Sequence, residues 1–163
     1  MEHGLGQSFR VQIFLGPVDD SSPASWPTDT SSVGRVSILG RLPETECAKC
    51  RADMATGLMV SGTVSLTTAP LREIVGGDGT GQEGLEEEVV VLYLKEWLWW
   101  KVTMVDEEDA GEGMPAGEVP GLKVSVMSTQ VSIEESGVPM FSGEYKAHLE
   151  VTMGEEGGWK LEG

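Results

Sequence analysis

Cys47 and Cys50, in the run Cys47-Ala48-Lys49-Cys50, form the most compact chemical motif of this chain. A turn can bring two such side chains to one point, and Lys49 and Arg51 beside them favour thiolate over thiol. Several uses are open. A structural zinc site needs further Cys or His ligands, and no second cysteine pair exists. A thioredoxin-like redox pair needs a βαβ context, which the flanking sequence lacks. A soft site for Cu(I) needs only the two sulfurs, because soft ligands select cuprous ion. Met54 and Met59 are close enough in sequence to add thioether ligands. A local disulfide or a pair of free thiols remains equally open. Free thiols would suit a reducing cytosol, although a secreted origin fits the same spacing.

Other chemistry has little material. The chain holds 2 histidines, His3 and His148. His3 lies in a terminal segment. His148, between Ala147 and Leu149 in an alternating run, is expected on a strand and facing solvent. A serine–histidine–acid set around it lacks the sharp strand-to-helix turn that exposes a nucleophilic serine. The runs Glu86-Glu87-Glu88 and Glu107-Glu108-Asp109 read as solvated faces rather than acid–base pairs. The loop Gly76-Gly77-Asp78-Gly79-Thr80-Gly81 has no following Lys-Ser/Thr, so it is not a phosphate cradle. The expectation is a chain that is not an enzyme by itself.

The elements that must position these residues are mostly strands. Phe9 to Leu15 alternates Phe9, Val11, Ile13 and Leu15 against Arg10, Gln12 and Phe14, the period of a half-buried strand. Gly16-Pro17 ends it, and Val18 to Ser32 reads as a polar surface loop. Gly34 to Leu39 is a second strand, Arg41 to Met54 a loop, and Leu58 to Thr67 a third strand. Val89 to Val105, rich in valine and tryptophan, favours strand over a single helix, with Leu94 to Trp97 as a possible link. Asp106 to Pro120 reads as an acidic loop. Leu122 to Ile133 and Tyr145 to Met153 supply the last strands. Trp97 and Trp99 read as core, as do Met104, Met127 and Met153.

The expected fold is all-β, an antiparallel two-sheet β-sandwich with long Gly/Pro-rich acidic loops. Composition agrees, with 22 Gly and 8 Pro among 163 residues. Residues 1–8 are expected to be a flexible lead, 9–154 one domain, and 155–163 a frayed or cloning-derived tail. The formal net charge of −16 repels phosphate backbones, so no nucleic acid is expected. An anionic membrane surface is disfavoured on the same ground. No run of about 18 apolar residues is present, and Met1 to Gln7 has no apolar core of a signal peptide.

Several runs carry a resemblance in their order. They are Phe9-Arg10-Val11-Gln12-Ile13-Phe14-Leu15-Gly16-Pro17, then Gly34-Arg35-Val36-Ser37-Ile38-Leu39-Gly40-Arg41, then the Cys47/Cys50 pair. After these come Val60 to Thr67, Tyr93 to Val102, and Pro120-Gly121-Leu122-Lys123-Val124-Ser125-Val126. Together, from Phe9 to Met153, the chain resembles the C-terminal domain of fungal tyrosinases (polyphenol oxidases). The resemblance implies a β-sandwich that follows a helical dicopper core, covers its active site and keeps the zymogen inactive until proteolysis. It implies that Cys47 and Cys50 transiently bind Cu(I) and pass it to that catalytic core, in cis or in trans. It also implies a residue shortly before the cysteine pair that plugs the copper pocket. That residue is often aromatic in the family, and the matching positions here are Ile38 and Leu39. Such a dicopper centre needs a full set of imidazoles on each metal, and 2 His cannot supply it. The alternative is a purely structural or inhibitory interaction domain, docking through Gly34 to Leu39 or through Trp97 to Trp100.

Overall fold

The structure is a computed structural model that describes residues 8–39, 48, 52, 60–67, 86–105, 111–133 and 137–159. Its strands form two antiparallel sheets, the all-β, sandwich-like arrangement expected from the alternation. In chain order, β1 is Phe9–Leu15, β2 Ser32–Ile38, β3 Leu98–Met104, β4 Gly113–Met114, β5 Met127–Ile133 and β6 Pro139–Ala147. Helix α1 spans Glu87–Trp97 and the single turn α2 spans Leu149–Thr152. The larger sheet has the order β2-β1-β3-β4, and β5 and β6 form a separate two-stranded ribbon.

Strand β1 organises the larger sheet. It pairs with β3 without interruption from Phe9↔Met104 to Leu15↔Leu98. On its other edge it pairs with β2 from Phe9↔Ile38, with an irregularity between Ile13 and Phe14. One face sends Phe9, Val11 and Ile13 into the core beside Leu98, Trp100, Val102 and Met104. Leu94 of α1 and Val151 of α2 close that core. The opposite face carries Gln12 and Phe14, which are also buried. The cover there is the segment expected as a surface loop. Its 3-10 helix, Pro23–Thr28, lays the buried Trp26 edge-on to Phe14, with ring centroids 6.4 Å apart. The Trp26 indole N–H donates to the Asp19 carbonyl at 2.8 Å, so the ring is buried without an orphaned donor. Gln12 donates from its amide to the Trp26 carbonyl and to Ser32 Oγ.

Three expectations are corrected. Glu87–Trp97 is a helix, not a strand. Val90, Val91 and Leu94 share one face of it and pack on the core, while Leu92, Lys95 and Glu96 are exposed. Each valine costs up to about 0.7 kcal/mol in a helix, whereas burying one leucine returns about 1.5–3 kcal/mol. Tertiary packing therefore outweighs β propensity. Glu87 and Glu88 in the first turn and Lys95 in the last complement the helix dipole. The second correction is at the other end: β6 stops at Ala147, and Leu149–Thr152 is helical. Val151 and Thr152 are buried, and Met153 is exposed. Thirdly, residues 60–66 join no sheet among the described residues.

The chain stays packed beyond residue 154. Val124 N–H donates to the Gly157 carbonyl at 2.8 Å, and Trp159 N–H donates to the Val124 carbonyl at 3.0 Å. The Trp100 indole N–H donates to the Glu156 carbonyl at 2.9 Å. The expected tail is thus tied to the core through Trp159.

Residues 60–66 approach β2 closely through reciprocal valine–glycine contacts. A Cβ added at Gly34 would lie 2.5 Å from Val64 Cγ1, and one added at Gly62 would lie 2.2 Å from Val36 Cγ1. Gly34→Ala is therefore expected to lower stability by about 1–3 kcal/mol, measured by urea unfolding. Adding Val64→Ala should recover part of that loss, whereas purely additive effects would show that the contact is not the cause.

Candidate functional site

Cys47, Cys50, Met54 and Met59 lie outside the described residues. Within the expected loop Arg41 to Met54, the described residues Ala48 and Ala52 are helical. Among the described residues, no group of three or more His, Cys, Asp or Glu side chains is placed to hold a metal. The expected plug positions separate. Ile38 ends β2 opposite Phe9 and packs against this domain's own core. Leu39, the next residue, is 78% exposed.

His148 is corrected from a solvent-facing strand residue to a buried one, with 2% of its surface exposed. It sits at the junction of β6 and α2. Its backbone N–H donates to the Val126 carbonyl at 2.9 Å. Its Nε2 lies 2.8 Å from Ser128 Oγ on β5. Its Nδ1 lies 3.7 Å from Glu150 Oε1 and 4.0 Å from Glu87 Oε1. Both distances exceed a hydrogen bond, so the carboxylate that would orient a catalytic imidazole is not engaged. What the cluster does is mechanical. Lys146 on β6 forms an ion pair with Glu87 at the start of α1. His148 and Lys146 thus fasten the ribbon to α1 and α2. Period-two reading hid the histidine, since the alternation of Tyr145, Ala147 and Leu149 continues through a real break in the strand.

The tryptophans divide differently from the expectation. Trp100 is buried, while Trp97 and Trp99 are partly exposed. Trp97 stacks on Tyr93 one helical turn earlier, with centroids 6.4 Å apart. Of the three methionines expected in the core, Met104 is buried, and Met127 and Met153 are exposed.

These features define a class: a mainly antiparallel β module whose buried polar groups tie secondary-structure elements together. Comparison with known proteins gives its family. The family described as "Tyrosinase C-terminal domain" matches residues 1–126. The chain belongs to that family. It is 48% identical over 154 residues to a tyrosinase from Neurospora crassa, covering 94% of this chain and 21% of that protein. It is 55% identical over 78 residues to a tyrosinase from Podospora anserina, covering 45% of this chain and 14% of that protein. The chain therefore spans about a fifth or less of the length of these curated relatives. No solved structure matches it.

The Glu87–Lys146 pair sets a pH dependence. The hydrogen bond from Lys146 holds the Glu87 carboxyl below its ordinary 4.5 and raises the Lys146 ammonium above its ordinary 10.5. A lowered carboxylate contributes stability that is complete above its unfolded value and is lost as pH falls through its folded value. A raised ammonium contributes stability that is complete below its unfolded value and is lost as pH rises through its folded value. Lys146→Met is accordingly expected to lower the urea midpoint slightly at about pH 7 and to leave it unchanged at about pH 2. An equal loss at both pH values would show that the lysine acts by packing alone.

Proposed function

We propose that this chain is the non-catalytic C-terminal part of a fungal tyrosinase, that it caps the dicopper active site, and that it carries Cu(I) to that site as cargo. The observation that carries the reading is the family match over residues 1–126, together with coverage of 21% of a longer relative. The histidine count supports it, because 2 His in the whole chain fall short of a dicopper ligand set. The catalytic partner is the remaining part of the same polypeptide in cis, or that part in trans after cleavage.

Cys47 and Cys50 are the cargo ligands in this reading. Thiolate donors favour cuprous over harder ions, and a site made of two sulfurs releases its ion to a better-furnished acceptor. Met54 and Met59 are auxiliary thioether donors. Leu39 takes the plugging role, because its exposed side chain supplies bulk that excludes a phenol. Ile38, drawn into its own core, anchors Leu39 rather than plugging. An inhibitory lid without copper transfer is the second reading, and exposed Leu39 supports that lid independently of the cysteines.

Titrating the reduced chain with Cu(I) against a competing chelator tests the cargo role. One equivalent is expected to bind tightly and to be lost in the Cys47→Ser/Cys50→Ser double variant. Equal binding by the double variant would remove copper transfer and leave the lid.

A further inference from the structure

The β5–β6 ribbon is turned inside out. Its register places Met127 opposite Ala147, Thr129 opposite Tyr145, and Val131 opposite Phe141. These residues share one face, since the positions between them point the other way. The other face is polar where it meets the body. There Ser128 bonds His148, and Lys146 pairs with Glu87. The face turned away from those contacts is apolar and open: Met127 is 56% exposed, Val131 48%, Phe141 65% and Tyr145 66%. A β-ribbon normally buries its apolar face and wets its polar one. Here the Ser128–Lys146 end of one face is fastened to the domain, Met140 further along that face is 49% exposed, and the opposite, apolar face is presented outward.

The presentation is built rather than frayed. Opposite the single residue Gln130, β6 carries Ser142, Gly143 and Glu144 as a bulge. Gly143 sits at φ +78, a conformation that favours glycine. Ser142 Oγ accepts the Glu144 N–H at 3.2 Å, which holds the bulge together. The bulge keeps Phe141 and Tyr145 on one face of β6 across the interruption. Among the described residues β5 and β6 pair only with each other, and an isolated two-stranded ribbon is marginal in water. Phe, Tyr and Met are also residue types enriched at the centres of protein interfaces.

We infer that the apolar face formed by Met127, Val131, Phe141 and Tyr145 is the surface that docks on the catalytic part of the tyrosinase polypeptide. The inference rests on the capping role proposed above and assigns it a surface. Two observations select this occupant over a second copy of the chain. The Neurospora relative carries most of its length outside the region matched here, so a large surface is tethered in cis at high effective concentration. A net charge of −16 on each copy opposes self-association. The ribbon also begins where the family match ends, at residue 126.

The test mixes the whole chain with the part of the Neurospora crassa tyrosinase that it does not match, and follows binding by titration and by amide hydrogen exchange. Exchange should slow across residues 127–147 in the complex. Phe141→Ser and Tyr145→Ser should each weaken binding by about tenfold or more while leaving the urea midpoint of the chain unchanged. The exchange measurement on the unaltered chain stands even where a variant folds poorly. Binding with protection elsewhere and no effect of either variant would overturn the ribbon assignment and leave the capping role intact. No binding at all would overturn both. A concentration-dependent dimer of the chain alone, dispersed by Phe141→Ser, would assign the face to a second copy and overturn the inference.

Discussion

Burial of β1 on both faces is the constraint on which the rest of the structure depends. A strand whose Phe9, Val11 and Ile13 point to one side and whose Gln12 and Phe14 point to the other must be covered twice. The first cover is the core built with β3, α1 and α2. The second is the Trp26 turn, which a polar sequence would not suggest. Gln12 makes the second cover specific, because its amide N–H groups must find the Trp26 carbonyl and Ser32 Oγ or remain buried without partners. Once β1 is fixed, β2 and β3 are placed by register, and Leu39 follows Ile38 out into solvent.

The elements legible in the sequence are those whose apolar residues alternate along a strand that does form. Strand β1 and the run from Val36 to Ile38 in β2 belong to this group. Glu87–Trp97 was not legible, since consecutive valines followed by aromatics favour strand and only the three-dimensional position of Leu94 reverses that preference. His148 was hidden for the complementary reason. Its neighbours kept period two in sequence after the strand had ended in space. Trp26 carried no periodic signal because a 3-10 cover of two turns is too short to show a repeat. The candidate cysteines are legible as a motif alone, since chemistry is carried by their spacing and sulfur type.

The ribbon and the core illustrate opposite uses of the same residue types. In β3, Leu98, Trp100, Val102 and Met104 face inward and are sealed by α1 and the segment through Trp159. In β5 and β6, the end of the ribbon that meets the body is polar and held by Ser128, Lys146 and His148. A buried histidine with an ordered hydroxyl partner fixes orientation more sharply than apolar packing does. That orientation turns Phe141 and Tyr145 away from their own domain. The proposed reading gives this geometry a purpose, because a lid on a longer enzyme would need a surface for the rest of it.

The measurement that tests the account most directly is copper loading of the catalytic part. The copper-free catalytic part would be given limiting Cu(I) under a chelator, with and without the present chain, and its copper content and phenol oxidation followed. The account requires faster copper uptake when the chain is present, dependence on Cys47 and Cys50, and oxidation that develops only after the chain is released. Equal uptake in its absence, with full activity while the chain is bound, would contradict both the carrier and the lid.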